Sequence, residues 1–251
     1  MKIAVISDIH GNMEALIPVL QDIQQEQAEQ ILICGDLAMA GPEPVETLDF
    51  MMKLAENPNI VIIQGNTDEM IIKSTGEAND PYTPPNKIMA ESLKYAQQVI
   101  RQEQKEFLAQ LPADKSLKVG EVSILMVHGS PRRNNEDILP AQDIEKISEM
   151  IAGTTEDIIF CGHTHLPAGY QIEKQTVVNV GSVGRPFTET PQACYALLVI
   201  PDLSKKEFEI SHRFIDYNFQ SAAEKLARQP FEGAAKLAEM LVKATSRYPE
   251  N

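Results

Sequence analysis

The segment KIAVISDIHGN, residues 2–12, joins a run of β-branched and apolar residues to an acid, a histidine and a glycine. Its apolar part, residues 2–7, is typical of a buried strand. Apolar residues then recur at helical spacing over 12–25, and Asn12 is suited to cap that helix. The segment therefore predicts a strand that leads through a polar turn into a helix.

The same rhythm continues beyond the first helix. QILICGD (30–36) and NIVIIQGN (59–66) are predicted strands, and PVETLDFMMKLAE (44–56) is a predicted helix that has Pro44 in its first turn. An alternation of this kind predicts parallel strands joined by right-handed crossovers.

The second half of the chain has a different pattern, which begins with a Pro- and Gly-rich loop at 74–86. Helices are predicted over 87–100, 102–111, about 141–151 and, broken near Pro230, twice within 219–246. Strands are predicted at 115–119, 121–130, 156–163, 169–174, 176–182, 193–200 and 206–215. Short turns join several of these strands, which favours antiparallel pairing. The two halves together indicate two sheets packed face to face with helices outside.

The domain organisation follows from the absence of a clear interdomain linker. We interpret residues 1–251 as a single domain that has a helical cap insertion at about 74–111 and a helical C-terminal extension at about 217–251. The extension packs either on the domain or on a second copy of the chain, so the sequence is compatible with a homo-oligomer.

Composition narrows the class of partner. A formal net charge of −14 disfavours long nucleic acids and anionic membranes. A small phosphate compound can still bind where a metal ion or local arginines reverse the field. The three cysteines have no CxxC spacing, and no signal peptide or membrane-length apolar run is apparent, so we expect a cytoplasmic protein.

Side chains of the metal-ligand type follow five predicted strands, most of them beside a glycine. They are Asp8 and His10, Asp36, Asn66, His128, and His163 and His165. The carboxyl ends of parallel strands converge, so we expect one site. Imidazole, carboxylate and amide donors suit Mn, Fe, Zn or Ni rather than Ca. Seven donors are too many for one ion, and two ions roughly 3.5–4 Å apart form the clamp used for in-line attack on phosphorus.

The motifs SDIHG, GD, GN, HG and GHTH occur in this order within residues 7–165. As a set they resemble those of the calcineurin-like metallophosphoesterase superfamily. The resemblance implies an α/β fold, a four-layer α/β/β/α sandwich of two mixed sheets flanked by helices. It also implies two divalent or trivalent transition-metal ions, Mn, Fe, Zn or Ni.

Ligand roles follow from the same resemblance. Asp36 would bridge both ions, and Asp36, Asn66 and His128 would also be catalytic. One ion would be held by Asp8, His10 and His165, and the other by Asn66, His128 and His163.

Two departures from the family pattern bear on the substrate. Thr67 occupies the place where many members have a histidine that can protonate the leaving group, and GDLAMAG (35–41) lacks the arginine that often follows the second strand. The sequence thus looks more like the small prokaryotic phosphodiesterases of the superfamily than its protein phosphatases. Loss of general-acid help, typically about 10²–10⁴-fold, favours substrates that have good leaving groups.

Further residues are candidates for substrate binding. Arg132 and Arg133 follow the HG motif, and arginine forks match phosphate oxygens, although a solvated loop would contain the same pair. Ser182 and Arg185 lie in a glycine-rich stretch that a tight turn would equally explain. The full set of candidates is Thr67, Asp68, Arg132, Arg133, Ser182 and Arg185.

The sequence therefore favours an enzyme, a metal-dependent phosphoric ester hydrolase. We expect metal-bound hydroxide to attack the phosphorus of a small phosphodiester or nucleotide phosphoanhydride. A dinucleoside polyphosphate (Ap4A-type) hydrolase is one alternative. The other is a non-catalytic scaffold or binding protein. Missing metal ligands would favour this alternative, whereas all the candidate ligand positions here hold suitable donors.

Overall fold

The computed structural model describes residues 1–77 and 79–246, and within them ten strands form two five-stranded sheets. The strands are β1 (Lys2–Ile6), β2 (Gln30–Ile33), β3 (Ile60–Ile62), β4 (Lys115–Val119), β5 (Val122–Met126), β6 (Ile158–Cys161), β7 (Ala168–Ile172), β8 (Gln175–Asn179), β9 (Ala193–Val199) and β10 (Glu209–Ile215). The helices are α1 (Met13–Gln25), α2 (Pro44–Leu54), α3 (Asn66–Lys73), α4 (Lys87–Val99), α5 (Gln102–Gln110), α6 (Ile144–Met150), α7 (Phe219–Ala227) and α8 (Ala234–Lys243).

Both sheets are mixed. The first has the order β10-β9-β1-β2-β3, in which β1, β2 and β3 are parallel, β9 is antiparallel to β1, and β10 is antiparallel to β9. The second has the order β4-β5-β6-β8-β7, in which β5, β6 and β8 are parallel. The parallel strands are adjacent in each sheet, at one side of the first and in the middle of the second, so their carboxyl ends can share one edge.

Strand β1 shows why the sheets stack in layers. Its residues alternate between two cores, because successive side chains of a strand point to opposite faces. Ile3 and Val5 pack into the apolar layer between the two sheets. Ala4 and Ile6 pack on the other side, in the cluster that also contains apolar residues of α1, α7 and α8.

The second sheet has a helix layer of its own. Ile147 of α6 packs with Leu125 and Ile159 on the face that points away from the first sheet. The arrangement is therefore helix, sheet, sheet, helix, and the predicted fold class is confirmed.

The main departure from the predicted elements is α3. The sequence indicated a strand that continues to residue 66, whereas β3 ends at Ile62 and Asn66 begins a helix. Gly65 is the N-cap, and its backbone N–H donates to the Asp68 carboxylate. The polar GNTDE stretch is thus a helix start rather than a strand end.

The insertion and the C-terminal helices lie against each other. In the insertion, α4 packs against α2, α3 and α8, and α5 packs against α2 and α3. At the C-terminus, α7 and α8 form a pair, and α7 contacts α1. Ala78 of the predicted cap insertion and residues 247–251 of the predicted extension lie outside the described residues. Among the helices that are described, none combines the length and the apolar character needed to cross a membrane.

One ion pair ties the outer helix α1 to the first sheet. The Asp22 carboxylate accepts hydrogen bonds from Arg213 Nε (2.8 Å) and Nη2 (2.9 Å) and from Tyr195 Oη (2.6 Å). The hydrogen bonds from Arg213 hold the pKa of Asp22 below its usual range. The bidentate geometry and partial burial make this pair stronger than an ordinary surface ion pair.

We expect Asp22→Asn to lower the free energy of unfolding by about 1–2 kcal/mol, because a charge-assisted bidentate pair is lost. Urea unfolding with a chelator present measures this difference. The difference should shrink as the pH falls below the ordinary range for aspartate, because the pairing of wild-type Asp22 is lost when its carboxylate is protonated.

Glu224→Gln is the matched control, since Glu224 pairs with Arg228 on the exposed surface. It should change stability by less than about 0.5 kcal/mol. Equal effects of the two substitutions would show that the Asp22 pair has no special strength.

Candidate metal centre

The predicted metal ligands come together where the parallel strands of both sheets end. Six of them are buried, and His163 is partly exposed. The ligands on the first sheet's side follow β1, β2 and β3, and those on the second sheet's side follow β5 and β6. The complete set is Asp8, His10, Asp36, Asn66, His128, His163 and His165.

The first group of donors comprises Asp8, His10 and His165. The Nε2 atoms of His10 and His165 lie 3.0 Å apart. Asp8 Oδ1 lies 3.2 Å from His165 Nε2 and 3.7 Å from His10 Nε2. Three ligand atoms of the types that transition metals prefer therefore converge in a buried space.

The second group comprises Asn66, His128 and His163. Asn66 Oδ1 lies 2.9 Å from His128 Nε2 and 2.9 Å from His163 Nδ1. The group mixes one amide oxygen with two imidazole nitrogens, so it contains no negative charge of its own.

Asp36 lies between the two groups. Its Oδ2 atom is 3.7 Å from His10 Nε2, and its Oδ1 atom is 3.3 Å from His128 Nε2. Each carboxylate oxygen thus faces a different group, which is the placement that a ligand shared by two ions requires. Asp8 Oδ1 is also 3.9 Å from His128 Nε2, so both carboxylates border the space between the groups.

Backbone carbonyls orient three of the four imidazoles. The Nδ1 atoms of His10, His128 and His165 lie 2.7, 2.6 and 2.6 Å from the carbonyl oxygens of Met39, Cys34 and Arg185. An Nδ1–H that donates to a carbonyl leaves Nε2 with its lone pair towards the donor cluster. His163 is reversed, with Nδ1 towards Asn66.

The electrostatics of the cluster favour bound cations. Burial alone would raise the pKa of Asp36, but attraction to His128 and His10 outweighs it and lowers the pKa to about 2. Burial would lower the pKa of His128, but the charges of Asp36 and Asp8 raise it to about 10. Asp8 Oδ1 is buried and accepts no hydrogen bond from the described residues. Buried carboxylates of this kind need a nearby positive charge, and the donor set fits transition-metal ions.

Five of the ligand residues have a left-handed backbone. The φ angles are 55° for Asp8, 47° for His10, 58° for Asp36, 70° for His163 and 60° for His165. Non-glycine residues rarely adopt this conformation, and each instance costs roughly 1–3 kcal/mol. The surrounding fold therefore holds the ligands in strained positions, as is common where function dictates geometry.

Glycines next to the ligands allow the loops to meet. A Cβ at Gly65 would lie 2.1 Å from Asp36 Oδ1, and a Cβ at Gly162 would lie 2.3 Å from Asp8 Oδ2. Any larger residue at either position would displace a predicted ligand. These two close approaches explain the glycines of the GN and GH motifs.

Asp68, which was predicted to bind substrate, makes its hydrogen bonds within the protein. Its buried carboxylate accepts hydrogen bonds from the backbone N–H groups of Asp36 (2.9 Å), Leu37 (2.9 Å) and Gly65 (2.9 Å). Burial and the charge of Asp36 raise its pKa to about 7. Asp68 is thus a structural brace for the loop that carries Asp36. Its neighbour Thr67 does face the cavity, and the Thr67 backbone N–H donates to Asp36 Oδ1 at 2.8 Å.

The hydroxyl of Ser182, another predicted substrate ligand, is likewise occupied by partners within the protein. Ser182 is fully buried, and its Oγ donates to the carbonyl of Asp8 (2.8 Å) and accepts from the backbone N–H of Arg185 (2.9 Å). The hydroxyl ties the loop after β8 to the loop that carries Asp8. It has no access to a substrate.

Arg132 and Arg133 do not reach the metal cavity. Both guanidinium groups pair with Glu136, at 2.6 and 3.2 Å. They line a separate cleft behind His128, together with Asp114. The structure thus places both predicted substrate ligands outside the metal cavity, and Glu136 pairs with them on the surface.

Arg185 does line the metal cavity, which has a volume of about 260 Å³. Its guanidinium carbon lies 5.7 Å from the centre of the Phe187 ring, and that ring stacks on His165 at 4.3 Å. Met89 of α4 and Met240 of α8 complete an apolar wall. Sequence reasoning missed these three apolar residues, because nothing in their spacing distinguishes them from ordinary core.

Comparison with known proteins assigns the family. A family model for the calcineurin-like phosphoesterase superfamily domain matches residues 1–202. The chain belongs to the calcineurin-like phosphoesterase superfamily. This confirms the family that the motifs indicated and makes the chain a metal-dependent phosphoesterase.

Similar members of the superfamily come from archaea and bacteria. The protein MJ0912 of Methanocaldococcus jannaschii is 28% identical over 243 residues, which cover 90% of this chain and 92% of the relative. Phosphodiesterase YfcE of Escherichia coli K12 is 26% identical over 204 residues, which cover 79% and 87%. The structure of a metallophosphoesterase from Sphaerobacter thermophilus superposes with a TM-score of 0.76 at 23% identity, covering 97% and 99% of the two chains.

The geometry predicts a stability that depends on metal. An ion that binds only the folded chain at about 100 times its Kd should add about 2.7 kcal/mol. We expect Mn²⁺ to raise the Tm of chelator-treated protein by several degrees in differential scanning calorimetry. Mg²⁺ should raise it less, because nitrogen donors suit it poorly. An unchanged Tm with Mn²⁺, Zn²⁺, Fe²⁺ and Ni²⁺ would contradict the assignment of the donors.

Proposed function

We propose that this chain hydrolyses a small phosphodiester at a centre of two transition-metal ions. The observation that carries the proposal is the position of Asp36, which presents one carboxylate oxygen to each of two donor groups. Two ions held there would lower the pKa of a bound water and neutralise charge that develops on the phosphoryl group. Mn, Fe, Zn and Ni are the metals that this donor set suits.

Residues around the metal centre are placed to hold the phosphate of the substrate. Arg185 lines the cavity beside His165, and a guanidinium matches phosphate oxygens in geometry and charge. Asn66 and His128 border the space between the two groups and belong to the proposed catalytic set with Asp36.

The cavity also indicates the kind of ester. Met89, Phe187 and Met240 line the cavity together with the donors and give it an apolar wall. A wall of this kind favours a phosphate that carries an organic group over inorganic phosphate compounds. At about 260 Å³ the cavity lies below the usual range of roughly 300–1,000 Å³ for ligand pockets. We therefore favour a small diester, and YfcE, a relative by sequence, is named a phosphodiesterase.

Thr67 limits the leaving groups that can depart. Its hydroxyl cannot supply a proton as readily as the histidine of many relatives. Thr67 Oγ1 is buried beside the cavity without a hydrogen-bond partner among the described residues, so an unsatisfied hydroxyl lies next to the place where a phosphate would bind. Esters of acidic alcohols and phenols are the expected substrates.

The remaining alternatives have less support. A scaffold would not need the complete set of seven donors. A dinucleoside polyphosphate would extend well beyond a cavity of about 260 Å³. The three cysteines are buried and unpaired, and with the net charge of −14 they support a cytoplasmic enzyme that acts on small molecules.

We expect Asp36→Asn to lower kcat/KM for bis-p-nitrophenyl phosphate by at least about a hundredfold. A weakened bridge should remove several kcal/mol of transition-state stabilisation. The assay uses chelator-treated protein to which Mn²⁺ is restored, and circular dichroism checks the fold.

Asp114→Asn is the control, because Asp114 is an exposed aspartate in the cleft behind His128. It should retain wild-type turnover. Near-normal activity of Asp36→Asn would exclude the shared-ligand role, and wild-type protein that shows no metal-dependent hydrolysis would exclude the proposed reaction.

We expect Thr67→Val to lower kcat/KM for the same substrate by about two- to tenfold, the worth of one hydrogen bond. The change keeps the shape of the side chain and the backbone N–H that supports Asp36. Mn²⁺ affinity, measured by calorimetry, should stay at the wild-type value. Unchanged kinetics would show that the hydroxyl does not contact the substrate.

A further inference from the structure

His163 differs from the other ligand imidazoles in what holds its outer nitrogen. Its Nε2 atom lies 3.3 Å from Asp137 Oδ1, whereas the outer nitrogens of the other three face backbone carbonyls. Its side chain is 19% exposed, and that of Asp137 is 60% exposed. A replaceable side chain on the surface thus orients this ligand.

The loop that carries Asp137 is fixed relative to the loop that carries His163. The buried amide nitrogen of Asn179 lies within hydrogen-bond distance of the carbonyl oxygen of Gly162 (2.7 Å), Thr164 Oγ1 (2.9 Å) and the carbonyl oxygen of Ile138 (3.2 Å). Gly162 and Thr164 flank His163, and Ile138 follows Asp137. One side chain therefore joins both loops and holds Asp137 and His163 in fixed positions relative to each other.

The donor group that contains His163 also has fewer carboxylate oxygens nearby than the other group. Asn66 is neutral, so Asp36 is the nearest carboxylate oxygen to His128, at 3.3 Å. The other group has Asp8 Oδ1 within 3.2 Å of His165 in addition to Asp36 Oδ2 near His10. An ion in the second group has less negative charge around it and depends more on the basicity of its imidazoles.

We infer that Asp137 is a positioning residue that keeps the proton of His163 on Nε2, directs Nδ1 to the ion and sets the affinity of the second group. The inference rests on the proposed two-metal centre. A carboxylate that accepts from the outer N–H of an imidazole fixes its tautomer and makes the inner nitrogen a stronger donor. The two ions should therefore differ in affinity, and Asp137 should act on the weaker one alone.

Titration of metal-free protein with MnCl₂ tests this inference without any substrate. Isothermal calorimetry gives the two dissociation constants, and electron paramagnetic resonance separates singly loaded from doubly loaded protein. We expect Asp137→Ala to weaken one binding event by about 10–100-fold and to leave the other unchanged, which is the usual effect of removing such a partner.

Two further variants sharpen the test. Asp137→Asn should fall between wild type and Asp137→Ala, because an amide oxygen can accept the hydrogen bond but lacks the charge. It also serves if the alanine variant does not fold. Asp114→Ala removes an exposed charge near His128 and should bind both ions as wild type does.

Equal dissociation constants in Asp137→Ala and wild type would overturn the inference, as would equal weakening of both events. Equal losses of Mn²⁺ affinity in Asp114→Ala and Asp137→Ala would overturn it too, since they would indicate a general charge effect.

If the wild type hydrolyses the diester while Asp137→Ala titrates normally, only this inference fails. If two ions bind with the expected asymmetry but no phosphoester is hydrolysed, only the proposed function fails. Wild-type protein that takes up fewer than two ions would exclude both.

Discussion

Two ionised carboxylates, Asp8 and Asp36, lie buried at the ends of adjacent parallel strands, at 0% and 2% exposure. Burial of unpaired charge is too costly to persist, so the surroundings must supply positive partners. Imidazoles from both sheets surround the pair, and the backbone N–H groups of Thr67 and His163 donate to one carboxylate each. The packing of the two sheets thus brings the compensating imidazoles and N–H groups to Asp8 and Asp36.

The sequence was sufficient to predict the architecture and the convergence of the candidate donors, because both depend on local signals and one topological rule. Apolar runs located most strands, helical spacing located all helices but α3, and residues just after a parallel strand must lie at its carboxyl edge. The ligands follow β1, β2, β3, β5 and β6, so their convergence required no knowledge of side-chain packing.

Residues whose roles depend on distant partners could not be predicted in the same way. Ser182 bonds to a carbonyl 174 positions away, and Asp68 to N–H groups 31 and 32 positions away. Both looked like pocket residues, because sequence shows that a polar side chain is near a site but not whether its hydrogen bonds are already satisfied. Met89 and Met240 had the reverse difficulty. They look like core, and only the packing of α4 and α8 places them at the cavity.

The left-handed backbone of the ligand residues lowers the stability of the fold, while the same residues are the ones that catalysis needs. At Asp8 and Asp36, asparagine would tolerate the left-handed backbone and remove a buried charge, so a substitution that abolishes activity can yield a more stable protein when metal is scarce. Selection for hydrolysis would then be what retains aspartate at these two positions. A lineage released from that selection would be expected to lose its chemistry first at these residues, and to do so while keeping the sandwich intact.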